Sequence, residues 1–112
     1  MSYLSRDAIL TANDIKTEDV DVPEWGGKVR VRAMTAIQRD NFELQHLKGT
    51  LKNFRALIAS RCIVNEENEN IFTEADIGRL SQKSSLPLSK IFEVAIRLSG
   101  ITEKDVQNLE EN

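Results

Sequence analysis

The stretch Val22-Pro23-Glu24-Trp25-Gly26-Gly27-Lys28-Val29-Arg30-Val31-Arg32-Ala33-Met34-Thr35 decides the fold. Val29 and Val31 alternate with Lys28, Arg30 and Arg32, the period of two that marks a strand with one buried face. Upstream, Val20 and Val22 alternate with Asp19 and Asp21, so a second strand precedes the turn. Pro23 and the Gly26-Gly27 pair supply a rigid corner and a permissive one. The predicted element is a two-stranded antiparallel hairpin over residues 15–34, with its acidic strand facing its basic strand. Opposite charges across the outer face favour that pairing by roughly a few tenths of a kcal/mol per pair. A two-stranded ribbon is marginal alone and must lie on helices or pair with another chain.

Working outward, Thr35 with Gln38 three residues later forms a capping-box pattern, which starts a helix running to about Leu47. At 100° per residue, Met34, Ile37, Leu44 and Leu47 share one face and Phe42 points to the opposite side. Lys48-Gly49-Thr50 is the next joint. Residues 51–64 are apolar around most of the circumference, which predicts a central helix, the hub of the core. A polar connector, Asn65-Glu66-Glu67-Asn68-Glu69-Asn70, leads to Ile71-Phe72, which re-enters the core. Thr73-Glu74-Ala75-Asp76 opens a short helix with Ile77 and Leu80 inward. Pro87 suits the first turn of a longer helix striped by Leu88, Ile91, Phe92, Val94, Ala95 and Leu98, and Gly100 ends it. Thr102-Glu103-Lys104-Asp105 caps a last short helix carrying Val106 and Leu109. On the N-terminal side, residues 5–14 read as a short helix with Ser5 as N-cap.

The chain of 112 residues is thus expected to be a single α+β, mainly α domain: four to six helices, with the hairpin at 15–34 and a helical core over 35–109. Hydrophobic content of 40% and charged content of 29% are ordinary for a globular protein. Net charge is −3, spread without a basic stripe, which argues against nucleic acid as a partner. No apolar run nears the ~20 residues that span a bilayer. The N-terminus lacks an apolar signal core, so the expected location is the cytoplasm.

Chemistry is sparse. The only histidine, His46, has no Cys or second His near it in sequence, and a surface position is the simple reading. The only cysteine, Cys62, falls on the apolar hub helix, where a core residue is the simple reading and a nucleophile is not. Residues 65–76 align to a twelve-residue calcium loop with Asn65, Glu67 and Glu69 at the first three ligand places. Asn70 replaces the required Gly, however, and Asp76 the bidentate Glu. A solvated turn is preferred. No catalytic residue, cofactor or metal site is assigned. Trp25 reads either as a plug between hairpin and helices or as an exposed anchor for a partner. Phe42, off its helix's main face, is a candidate for contact outside the first core layer, and Arg30 and Arg32 join Trp25 and Phe42 as candidate partner contacts.

With these residues in hand, the chain resembles tail assembly chaperones of long-tailed bacteriophages and prophages, over essentially its whole length. The likeness is carried by Val22-Pro23-Glu24-Trp25-Gly26-Gly27 and by Val29-Arg30-Val31-Arg32 leading to Thr35 and Arg39-Asp40. It continues in Phe72-Thr73-Glu74-Ala75-Asp76, then in Ile91-Phe92-Glu93-Val94-Ala95 with Leu98-Ser99-Gly100-Ile101-Thr102-Glu103. Ala36, Gln38 and Asn68-Glu69-Asn70 depart from the pattern, where Gly, Glu and an Asp-Gly turn are usual. The resemblance implies a non-enzymatic protein of the bacterial host's cytoplasm that binds the tape measure protein, helps recruit the tail tube protein and is absent from the finished virion. In related phages a frameshifted C-terminal extension performs the recruitment. The hairpin edge offers a route to self-association by strand addition. A tail-completion or connector factor retained in the virion, and a small regulatory binding domain, are the alternatives.

Overall fold

The computed structural model describes residues 2–50 and 52–101; the expected helix carrying Val106 and Leu109 lies outside the described residues. The element order is α1 (Arg6–Thr11), β1 (Thr17–Val22), β2 (Gly27–Arg32), α2 (Ala36–Leu47), α3 (Phe54–Cys62), β3 (Ile63–Val64), α4 (Ile77–Leu80) and α5 (Ser85–Leu98), with short 3-10 turns at Pro23–Trp25 and Glu74–Asp76. The α+β, mainly α class expected from sequence is observed.

The hairpin has the expected alternation. Val20 faces Val29 and Glu18 faces Val31 on the inner side, while Asp19 faces Arg30 and Asp21 faces Lys28 on the outer side. Asp19 is bridged by Arg30 at 3.1 Å and by Lys28 at 3.7 Å, so the acidic and basic strands do pair charge to charge. At the turn Gly26 takes φ 78° and donates its N–H to the Pro23 carbonyl at 3.0 Å; a side chain would be strained in that left-handed conformation.

The hairpin gains a third strand. Within the hub helix expected over residues 51–64, the described residues are helical over Phe54–Cys62, and Ile63 and Val64 leave it to pair antiparallel with Val31 and Arg30. Two β-branched residues beside an Asn turn favour extended backbone over another helical turn. The sheet order is β1-β2-β3. Residues 65–70 then close as a tight turn: Asn65 N–H donates to the Glu69 carbonyl at 2.9 Å, Asn68 takes φ 63°, and Asn70 bridges back to Val64.

α5 lies across the inner face of β1 and β2. Lys90 Nζ donates to the Asp21 carbonyl at 2.6 Å, and Arg97 Nη2 donates to both Glu18 carboxylate oxygens at 2.8 Å. α3 packs along α5, with the rings of Phe54 and Phe92 edge to face at 5.4 Å and the Arg55 guanidinium over both. One cluster of buried side chains joins sheet and helices through Val20, Val22, Val31, Ile58, Ile63 and Ile91, among others. Pro87 sits in the first turn of α5, and Gly100, at φ 74°, ends it, both as read from sequence.

α2 is turned the other way from the expectation. Phe42 is only 1% exposed and belongs to the core cluster, whereas Ile37, Leu44 and Leu47 face outward, Leu47 at 82% exposure. Phe42 lies about 140° round the helix from Ile37 at 100° per residue, so only one of the two apolar sides can face inward. Met34, buried just before the helix, and Phe42 flank the direction that does.

Candidate interaction surface

Three of the four candidate contact residues belong to the hairpin, and their roles diverge. Arg30 Nε donates to Asp19 Oδ1 at 3.1 Å, and its Nη1 reaches the Glu66 carbonyl at 3.0 Å and Asn68 Oδ1 at 3.3 Å. Arg32 Nη1 donates to the Asn68 carbonyl at 2.9 Å, and Nη2 to Asn70 Oδ1 at 2.8 Å. Asn70 Nδ2 in turn donates to the Arg61 carbonyl at 3.0 Å, at the end of α3. The two arginines therefore clamp the 65–70 turn onto the outer face of the sheet. A bifurcated guanidinium holding backbone carbonyls fixes a loop at two points, which a lysine cannot reproduce. The Arg30 hydrogen bond holds the Asp19 carboxyl below its ordinary range, with Lys28 adding to the effect and desolvation opposing it.

The same turn explains the calcium-like spacing. Asn65 Oδ1, at the first ligand place, accepts the N–H groups of Glu67 and Glu69, each at 2.9 Å. Among the described residues no group of three or more His, Cys, Asp or Glu is arranged to hold a metal ion. Cys62 is buried, and desolvation pushes its thiol up to about 12 despite the positive charges of Arg32 and Arg61. His46 is half-buried in the last turn of α2. No helix of the described residues is long and apolar enough to cross a membrane.

Trp25 meets both of its readings in part. It ends the 3-10 turn at the hairpin tip and lines a cleft of about 470 Å³ with Phe72, Asp76, Arg79, Leu80 and Lys83. It remains 37% exposed. Its ring thus lines an open cleft together with the apolar Phe72 and Leu80, the cations Arg79 and Lys83, and the Asp76 carboxylate. The fourth candidate, Phe42, is corrected: its side chain is in the core and cannot touch a partner directly.

Periodicity missed two exposed apolar surfaces. The outward side of α2 presents Ile37, Leu44 and Leu47. The N-terminal arm presents Tyr3, Leu4, Ile9 and Leu10, Tyr3 at 98% exposure, and α1 buries none of its residues. No sequence signal reveals that a helix has nothing to pack on. The sheet has two edges: β1, whose Glu18, Asp19 and Asp21 make it poorly suited to strand addition, and the two-residue β3, where Asn70 already bridges Val64.

The chain is a small α+β fold, a helical body carrying a short antiparallel sheet, with its hairpin tip and one helix face left apolar and open. No known family matches the chain by sequence profile, and no curated protein matches it by sequence. Among solved structures it is similar to the tail assembly chaperone of bacteriophage HK97, with a TM-score of 0.64 at 15% sequence identity over 87% of this chain and 95% of that one. The two share a fold. The likeness expected from the Pro-Glu-Trp-Gly-Gly hairpin and the block near Gly100 is met at that level. Two departures from the expected pattern are also accommodated. Gln38 completes the capping box by accepting from Thr35 N–H at 3.0 Å, and Asn68 takes the left-handed conformation that a turn glycine would.

Proposed function

We propose that this chain is a tail assembly chaperone of a long-tailed bacteriophage or prophage. It binds the tape measure protein in the host cytoplasm, helps recruit the tail tube protein, and leaves before the virion is complete. The observation that carries this reading is the fold shared with the HK97 chaperone over nearly the full length of both chains. The role is non-enzymatic: the chain supplies surfaces rather than reacting groups.

Within this reading the Trp25 cleft meets the tape measure. Trp25, Phe72 and Leu80 suit one or two apolar side chains of a long helix, and Arg79 and Lys83, two cations to the one Asp76 carboxylate, suit acidic neighbours on that helix. A single such contact is weak, and many copies along one helix raise the total strength by multivalency. Arg30 and Arg32 act on this surface indirectly, by holding the 65–70 turn, and Phe42 acts by holding α2.

The experiment is co-purification of the tape measure protein with wild type and with Trp25→Ala. Loss of the complex in a variant whose circular dichroism is unchanged supports the reading. Full retention of binding removes Trp25 from the contact. A wild-type protein that binds no tape measure, and is instead found in purified particles, favours a connector or completion factor.

A further inference from the structure

We propose that the notch beside Lys28, in the tip half of β2, is a strand-addition site: an extended, basic segment of a partner protein pairs its backbone with Lys28 and lays an apolar side chain against Val29 and Ile71. The inference does not rest on the tail-assembly reading.

The unequal lengths of the strands beside β2 are the first observation. β1 pairs with all six residues of β2, from Gly27 to Arg32, whereas β3 pairs with Arg30 and Val31. Backbone groups along a strand point alternately to its two neighbours. Ala33 N–H donates to the Lys16 carbonyl at 2.9 Å, which sets the alternation: Val31, Val29 and Gly27 turn their N–H and C=O groups to β1. Arg32, Arg30 and Lys28 turn theirs to the other side, where Arg30 meets Val64. Register would place Glu66 opposite Lys28, but the chain has turned off at Asn65, and Arg30 Nη1 holds the Glu66 carbonyl at 3.0 Å instead. Among the described residues, no backbone group pairs with Lys28 on that side.

A cavity of about 730 Å³ fills the notch, lined by Lys28 and Val29 of β2 and by Asn65, Glu66 and Glu67 of the turn. That volume lies in the range of ligand pockets, ~300–1,000 Å³. Ile71, 52% exposed, and the half-buried Val29 give it an apolar patch. A free backbone donor and acceptor thus stand beside an apolar patch. Strand addition uses that combination, with backbone bonds for attachment and side-chain contacts for choice.

Charge selects the occupant. Lys28 and Arg30 both reach Asp19, at 3.7 and 3.1 Å. Glu66 and Glu67 line the cavity and form no ion pair among the described residues. Two cations are therefore spent on one carboxylate, and two further carboxylates are left for a Lys or Arg of the incoming segment. A second copy of this chain would offer β1 as its long free edge, and Glu18, Asp19 and Asp21 there carry the wrong sign.

The probe is the acetylated, amidated peptide Thr-Lys-Val-Lys-Val-Thr, added to the isotopically labelled full chain and followed by NMR titration and amide exchange. In the free chain the Lys28 amide should exchange fast although it lies inside β2, while the amides of Val29 and Val31 exchange slowly. The peptide should slow the Lys28 amide, and its counterpart Thr-Glu-Val-Glu-Val-Thr should not. Lys28→Pro removes the free N–H and touches no bond to β1; it should bind about tenfold more weakly than Lys28→Ala, which keeps that N–H. Glu66→Gln combined with Glu67→Gln should weaken binding about threefold. Circular dichroism checks the fold of each variant, and the wild-type exchange result decides if the proline variant does not fold. A Lys28 amide already protected in the free chain, or protection that grows with protein concentration alone, as a second copy in the notch would give, overturns the proposal. So does no binding at about 1 mM peptide, equal binding of the acidic peptide, or equal affinity of folded Pro and Ala variants.

Discussion

Replacing Phe42 by Ala tests which side of α2 faces the core. An aromatic side chain buries about 150–250 Å², which corresponds to about 4–6 kcal/mol at about 25 cal/mol per Å². Phe42 is 1% exposed, so nearly all of that area is at stake. Partial collapse of the surroundings onto the gap lowers the cost; a loss of about 3 kcal/mol is expected. Leu44→Ala, on a side chain that is half exposed, should cost less than about 1 kcal/mol. Urea denaturation followed by circular dichroism, at a dilution that keeps the chain monomeric, measures both. The slope against urea should be unchanged while the midpoint of Phe42→Ala falls. Because Met34 N–H still donates to Ser99 Oγ at 2.9 Å, and Arg39 still reaches the Ser99 carbonyl at 3.3 Å, the first turn of α2 should keep its hydrogen-exchange protection while its second half loses it. Equal losses for the two variants, or a larger one for Leu44→Ala, would refute the inward assignment of Phe42.

Other outcomes follow from the clamp and the buried thiol. Arg32→Ala removes hydrogen bonds of 2.9 and 2.8 Å from the 65–70 turn; a loss of about 1–2 kcal/mol and faster exchange at residues 68–70 are expected, while an unchanged exchange profile would contradict the clamp. Asp19 has its folded pKa held below the unfolded value by Arg30. Its contribution to stability is therefore present above the unfolded pKa and is lost as pH falls through the folded one. An NMR titration should show the depression, and Arg30→Ala should abolish most of it. Cys62, with its thiol pushed up to about 12 by burial, stays protonated in the folded chain where an unfolded thiol ionises, so this group lowers stability as pH rises above the unfolded value. Thiol reagents should label it at the rate of unfolding, and rapid labelling of the native protein would contradict its burial.

The parts of the fold that could be read from sequence are those written in local chemistry. The hairpin follows from alternation around Pro23 and Gly26, the start of α2 from Thr35 and Gln38, and the limits of α5 from Pro87 and Gly100. Two features were not legible. β3 is two residues long, too short for any period to register, and it takes its partner from β2, more than thirty positions upstream. The orientation of α2 was hidden because both of its sides are apolar: Phe42 against Ile37, Leu44 and Leu47. Periodicity identifies a stripe, and only the volume left between sheet and helices decides which stripe fills it. The interaction surface divides in the same way. Trp25 stands out as the one indole at a constrained turn, whereas Arg30 and Arg32 look alike in sequence whether they reach a partner or, as here, their own chain.

The most direct test of the tail-assembly reading is the mass of the complex formed when this chain is co-expressed with a tape measure protein from the same genome, read by light scattering after purification. The account predicts a soluble complex with several copies of this chain on each tape measure chain, and none of this chain in finished particles. A tape measure that purifies without it, with this chain present in the particles instead, would contradict it.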